Sequence, residues 1–129
     1  ISEYDSENLL YAVIERILME PEFSAVSGAI HVSLVNLVKD YSLLNYEETA
    51  YAQNPLTHVD FLLFRKMDKS PLLAIEVDGT AFHTAGSIQA VRDEKKNHIL
   101  SQCGIPLLRL RTDGSDEKKQ IEQALRTAL

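Results

Sequence analysis

Two apolar segments, residues 57–64 and 71–78, flank the polar, turn-rich run Arg65, Lys66, Met67, Asp68, Lys69 and Ser70. The pattern predicts two strands joined by a hairpin loop. Side chains alternate along a strand, so Asp60, Leu62 and Phe64 share one face, as do Leu72, Ala74, Glu76 and Asp78. Val59, Phe61, Leu63, Leu73, Ile75 and Val77 fall on the opposite face. Strands that are apolar on both faces belong inside a sheet covered by helices.

If the hairpin folds symmetrically about Asp68, Asp60 lies opposite Glu76, with Asp78 on the same patch. Cross-strand neighbours have Cβ atoms roughly 4.5–5.5 Å apart, and like charges so placed destabilise the pair. Acids embedded in an apolar sheet are costly unless paired, protonated or bound to metal. A divalent cation is the simplest offset, because Mg²⁺ is typically held by one or two carboxylates plus waters and phosphate oxygens. Solvated strand-end acids are the bland alternative, which suits a single Asp or Glu better than this set.

The rest of the chain surrounds the hairpin with helices. Asp5 or Ser6 caps a helix running to about Met19, with Leu9, Leu10, Val13, Ile14, Ile17 and Leu18 as its apolar stripe and Pro21 as its stop. Residues 29–37 predict a strand with Ser33 and Asn36 on its wet side, followed by a short helical or irregular piece to about Tyr46. Residues 47–55 have no clear period and read as a surface connection. After Asp78 comes a loop with Gly79, His83 and Gly86, then a helix over 87–102 capped by Gly104, its buried side assigned to Ile88, Val91, Ile99 and Cys103. A short strand over 106–111, a turn at 112–115 and a last helix over 116–129, using Ile121, Leu125 and Leu129, complete the order.

With 129 residues the chain has the length of one domain, 1–129, with a sizeable core. No apolar run reaches the roughly 18 residues of a membrane span, and no membrane partner is expected. Cys103, the one cysteine, has no internal disulfide partner, so a reducing cytoplasm fits best. The chain begins with Ile1, and its acidic, tyrosine-bearing start reads as a cut inside a longer sequence, which suggests a domain of a larger protein. A net charge of −6 argues against a dedicated nucleic-acid binder without excluding an enzyme that acts on nucleic acid. Basic residues cluster at Arg65, Lys66 and Lys69, at Arg92, Lys95 and Lys96, and at Arg109 and Arg111, a footprint small enough to need help from an attached domain.

A helix, an antiparallel meander carrying Asp and then Glu, a covering helix and a further strand resemble the core of the PD-(D/E)xK nuclease superfamily, the fold of type II restriction enzymes. The run Val59-Asp60-Phe61, then Ala74-Ile75-Glu76-Val77-Asp78-Gly79, His83, Gln89, Arg92-Asp93, Lys96 and Leu100, closing with Gly104-Ile105-Pro106-Leu107-Leu108-Arg109, is similar to one branch of it. That branch holds very-short-patch repair endonucleases and nuclease-like domains often fused to helicases. The resemblance covers roughly residues 57–111, and the first helix loosely. It implies an α/β restriction-endonuclease-like core: a mixed central sheet, an antiparallel meander plus one further strand, flanked by helices.

The resemblance also implies an Mg²⁺-dependent (or Mn²⁺-dependent) DNA endonuclease domain tethered to a helicase-like or repair protein. Asp60 and Glu76 would bind the metal, with the Val77 carbonyl as a further ligand. Glu7 matches the helix-borne acid, with Glu15 as substitute, and Gln89, Asp93, Lys96 and Leu100 share one helix face that would overlook the metal. Two departures stand out. Val59 replaces the motif's proline, and Asp78 replaces the strand lysine, whose charge Lys96 would supply from the neighbouring helix. On that assignment, replacing Lys96 should cost turnover and leave stability nearly unchanged.

In the repair enzymes a histidine occupies the place of Asp78 and another matches His83, which makes both candidates for water activation or phosphate contact. His83 reads equally well as a loop-stabilising donor, and His31, His58 and His98 read as ordinary structural or surface histidines. A degenerate nuclease fold that only binds DNA or a partner protein is the alternative, favoured by the missing strand lysine and the acidic charge. Hydrolysis of a sugar by paired carboxylates fits less well, since the chain has no tryptophan for a stacking platform.

Overall fold

The computed structural model describes residues 5–78, 87–111 and 116–129. Four helices, α1 (Asp5–Leu18), α2 (Tyr46–Gln53), α3 (Ile88–Gln102) and α4 (Glu117–Ala128), flank one sheet. Its strands, β1 (Val26–Ser33), β2 (His58–Arg65), β3 (Pro71–Asp78) and β4 (Leu107–Arg111), lie in the order β1-β2-β3-β4. The first three form an antiparallel meander, and β4 runs parallel to β3. A parallel neighbour requires a crossover connection, and α3 lies within it. The architecture is α/β with a mixed sheet flanked by helices, as the sequence resemblance implies.

The sheet separates two apolar clusters. On one side Leu10, Ile14 and Ile17 of α1 and Ile121 and Leu125 of α4 meet Phe61, Leu63, Leu73 and Ile75. On the other, Ile99 and Leu100 of α3 and Ala52 of α2 meet Val59, Leu62 and Ala74. Burying one such Leu or Ile contributes about 1.5–3 kcal/mol, so the two central strands are held from both sides. None of the helices among the described residues is long and apolar enough to cross a membrane.

Several local expectations are corrected. The first strand begins at Val26 and ends at Ser33, where a 3₁₀ turn over Leu34–Asn36 buries Leu34; the predicted strand over 29–37 was set too late because Leu34, Val35 and Leu37 prolong the apolar pattern beyond the strand. Residues 46–53 form α2 despite their weak apolar period, because a capping box secures its first turn. There the Asn45 side chain accepts from the Glu48 N–H at 2.8 Å and Glu48 accepts from the Asn45 N–H at 3.0 Å. Val59 packs on the α2 and α3 side, and Leu72 joins the α1 and α4 side, where the pairing register shifts between Leu63 and Phe64. Ile88 and Val91 are exposed, leaving Ile99 and Leu100 as the buried part of α3, and Leu129 is also exposed. Gly104 does end α3, with φ +72, a left-handed geometry that costs glycine least. The expected loop with Gly79, His83 and Gly86, and the turn at 112–115, lie outside the described residues.

Candidate active site

The ladder between β2 and β3 runs from Phe64 opposite Pro71 to Phe61 opposite Ile75. One position further, where the register brings Asp60 to Glu76, carboxylates replace strand-to-strand carbonyls as acceptors. The Asp60 N–H donates to Glu76 Oε2 at 2.9 Å, and the Val77 N–H donates to Asp60 Oδ2 at 2.8 Å. Each acid thus satisfies a backbone donor of the opposite strand. That reciprocal pair fixes both side chains at the end of the ladder.

Lys96 enters from α3, the helix over this face of the sheet. Its ammonium donates to Glu76 Oε1 and to the His58 carbonyl, the latter at 2.8 Å. Side-chain exposures of 14% for Lys96 and 6% for Glu76 make this a buried ion pair. Its charge is the offset that the facing acids require, a role the sequence suggests for a metal. Burial pushes the Glu76 carboxyl above its ordinary range; the Lys96 ammonium opposes that shift and the Asp60 charge adds to it. The same burial raises the phenol of Tyr51, a residue of α2 close enough to feel both Lys96 and Glu76.

Two histidines join the acids. His58 Nε2 lies 4.0 Å from Asp60 Oδ1, and the His58 ring sits 4.8 Å, centroid to centroid, from that of His31. His31 Nε2 in turn meets Glu7 Oε1 at 2.7 Å, which brings α1 into the group. In the β1–β2 register, Ile30 opposes Phe61 and Val32 opposes Val59, so His31 falls at the level of Asp60. Glu7, His31, His58, Asp60, Glu76 and Lys96 therefore form a continuous polar row across α1, β1, β2, β3 and α3. Sequence reasoning treats both histidines as ordinary; the signal it passes over is His58-x-Asp60, a spacing that puts both on one strand face.

The other expected residues gather separately. Arg109 on β4 reaches Asp78 Oδ1 at 3.4 Å, Asp93 Oδ1 at 3.6 Å and Asn97 Oδ1 at 2.8 Å, while Gln89 donates to Asp93 at 3.0 Å. The predicted helix face is thus divided: Lys96 serves Glu76, and Gln89 and Asp93 belong to the cluster around Arg109. Glu15 is exposed on α1, in a groove with Tyr11 and Ile30. His83 lies outside the described residues. His98 pairs with Glu48, a structural role as expected.

The carboxylates suit a hard cation, because an ionised carboxyl has about four lone-pair sites and each acid has some left after its hydrogen bonds. Arg65, half-buried, and Lys66, Lys69, Arg92 and Arg111, all exposed, are cations of the expected DNA footprint, whereas Arg109 is engaged by Asp78 and Asp93.

No curated protein and no solved structure matches this chain. A family model described as "Protein of unknown function (DUF2726)" matches residues 3–129, and the chain belongs to that family.

Proposed function

We propose that this domain is a metal-dependent phosphodiesterase of the restriction-endonuclease-like kind, acting on DNA. The observation that carries the reading is the contact of Lys96 with Glu76, beside Asp60, at the open end of the β2–β3 ladder. It joins two acids and one cation from separated positions, as phosphodiester hydrolysis requires. Asp60 and Glu76 would hold Mg²⁺ or Mn²⁺, with the Val77 carbonyl adjacent. When bound, such an ion polarises a phosphoryl oxygen and acidifies a water. Lys96 would stabilise charge that develops on the phosphate. The mixed sheet between two helical layers supports the same reading at the level of fold.

The net charge of −6 and the small clusters of exposed cations support a tethered setting, in which a helicase-like or repair domain would hold the DNA. The free Cys103 thiol supports a reducing compartment such as the cytoplasm. A second reading, an inactive nuclease fold that binds DNA or protein, is favoured by the double engagement of Lys96 with Glu76 and the His58 carbonyl, which neutralises the site internally.

The test is cleavage of supercoiled plasmid and of labelled duplex and single strands in Mg²⁺ and in Mn²⁺, with Asp60→Ala and Lys96→Ala beside the parent. Metal-dependent nicking lost in both variants supports catalysis. Binding in Ca²⁺ without cleavage in either activating metal would favour the inactive module.

A further inference from the structure

We propose that His31, His58 and Asp60 form a second metal site, for an imidazole-preferring divalent ion of the Zn²⁺ class, adjoining the Asp60–Glu76 pair. The inference goes beyond the nuclease reading and does not depend on it. One ligand atom from each of the three residues lies within 4.8 Å of the others, a spacing that a single ion can draw together. Two imidazoles and one carboxylate, with coordination positions left open, are a donor set suited to borderline transition ions rather than to Mg²⁺.

The surroundings orient each ligand. His58 Nδ1 is 3.0 Å from the Leu56 carbonyl, an acceptor that keeps the proton on Nδ1 and leaves a lone pair on Nε2, the atom facing Asp60 Oδ1. His31 Nε2 meets the Glu7 carboxylate, which holds the proton there and leaves the lone pair on Nδ1. Carbonyl and carboxylate partners of this kind are the usual support of metal-bound histidines. His31 also sits at φ 49, a left-handed backbone that few non-glycine residues adopt and that positions its ring beside His58. Asp60 divides its oxygens between the two halves of the row: Oδ2 takes the Val77 N–H beside Glu76, and Oδ1 faces His58. Both imidazoles are more than a third exposed, so an ion can reach them from solvent.

The test is calorimetric titration of the full chain with Zn²⁺, repeated with Co²⁺ to read nitrogen coordination from its visible absorption. One ion per chain is expected, with affinity lowered at least about tenfold in His58→Ala and in His31→Asn, and about tenfold in Glu7→Gln, which acts through His31. Asparagine is chosen at His31 because it tolerates the left-handed backbone, and circular dichroism checks that each variant is folded. Glu76→Gln should keep Zn²⁺ affinity while losing any Mg²⁺-dependent cleavage. The proposal fails if the parent does not bind Zn²⁺, if the folded histidine variants bind it equally well, or if Glu76→Gln loses as much affinity as they do. Zn²⁺ binding by a chain that cleaves no DNA in Mg²⁺ or in Mn²⁺ would count against the nuclease reading and leave this site standing.

Discussion

Glu48 and Glu76 are both buried carboxylates with a basic partner from α3, yet their environments push them in opposite directions. Glu48 sits in the first turn of α2, where the Asn45 N–H donates to it at 3.0 Å and His98 pairs with its other oxygen. The Asn45 N–H, more than His98, holds its carboxyl below the usual range. Glu76 also accepts a backbone N–H and a cation, but it lies deep in the sheet next to a second acid, and its carboxyl is raised. A helix start, rich in N–H donors, favours the ionised form. A buried place on a covered strand beside a second acid disfavours it. The contrast separates an acid whose charged form its surroundings favour from one whose charged form they disfavour.

The largest expected effect comes from breaking the deeper pair. Lys96→Met leaves Glu76 buried without its cation and should lower unfolding stability by about 3 kcal/mol in urea denaturation at neutral pH. This revises the sequence-based expectation that only turnover would suffer, because Lys96 is mostly buried and holds the His58 carbonyl as well. Adding Glu76→Gln to that variant should recover much of the loss; no recovery would mean that lost packing by the lysine stem is responsible.

The capping region should respond less. Asn45→Ala removes one half of the α2 box and is expected to cost about 1 kcal/mol in the same measurement. A cost equal to that at Lys96 would erase the distinction drawn between the two acids.

The two carboxylates should also give opposite limbs to the pH dependence of stability. For Glu48, whose folded pKa is depressed, the contribution is full above its unfolded value near 4.5 and is lost as pH falls through the folded pKa. For Glu76, whose folded pKa is raised, the contribution is full below about 4.5 and is lost as pH rises through the folded pKa. Thermal melts across pH should show Glu48→Gln flattening the acid limb and Glu76→Gln flattening the upper one. Curves that keep both limbs in both variants would overturn the assignments.

The smallest effect should fall on a surface pair. Arg126 reaches Glu22 at 2.6 Å with both side chains about half exposed, and solvent screens such pairs. Glu22→Gln should leave the melting temperature within error. A clear shift would show that exposed pairs in this chain carry more than their position suggests.

The sequence made the hairpin and its acids legible because alternation and turn chemistry act over a few residues. Asp60 and Glu76 could be placed opposite each other by counting from Asp68. Lys96 was within reach through the family resemblance, which assigns it the charge missing from the acid-bearing strand. The histidine pair was not: His31 meets His58 only once β1 has folded against β2 and its backbone has turned left-handed, a long-range outcome with no local period. The α2 helix escaped for a related reason, as it depends on a reciprocal cap more than on an apolar stripe. Ile88 and Val91 misled in the other direction, since an apolar residue can remain on the surface.

The left-handed turn at His31 has a consequence for the outer rim of the sheet. β1 is an edge strand, and a flat row of unpaired N–H and C=O groups there would invite another chain to add itself as a further strand. A backbone at φ 49 interrupts that row after Ile30 and turns its donors and acceptors out of line. The opposite rim, β4, is only five residues long and carries Arg109 and Arg111. Both borders of the sheet are thereby poor templates for aggregation, and at β1 the protection comes from the same residue that brings an imidazole to Asp60.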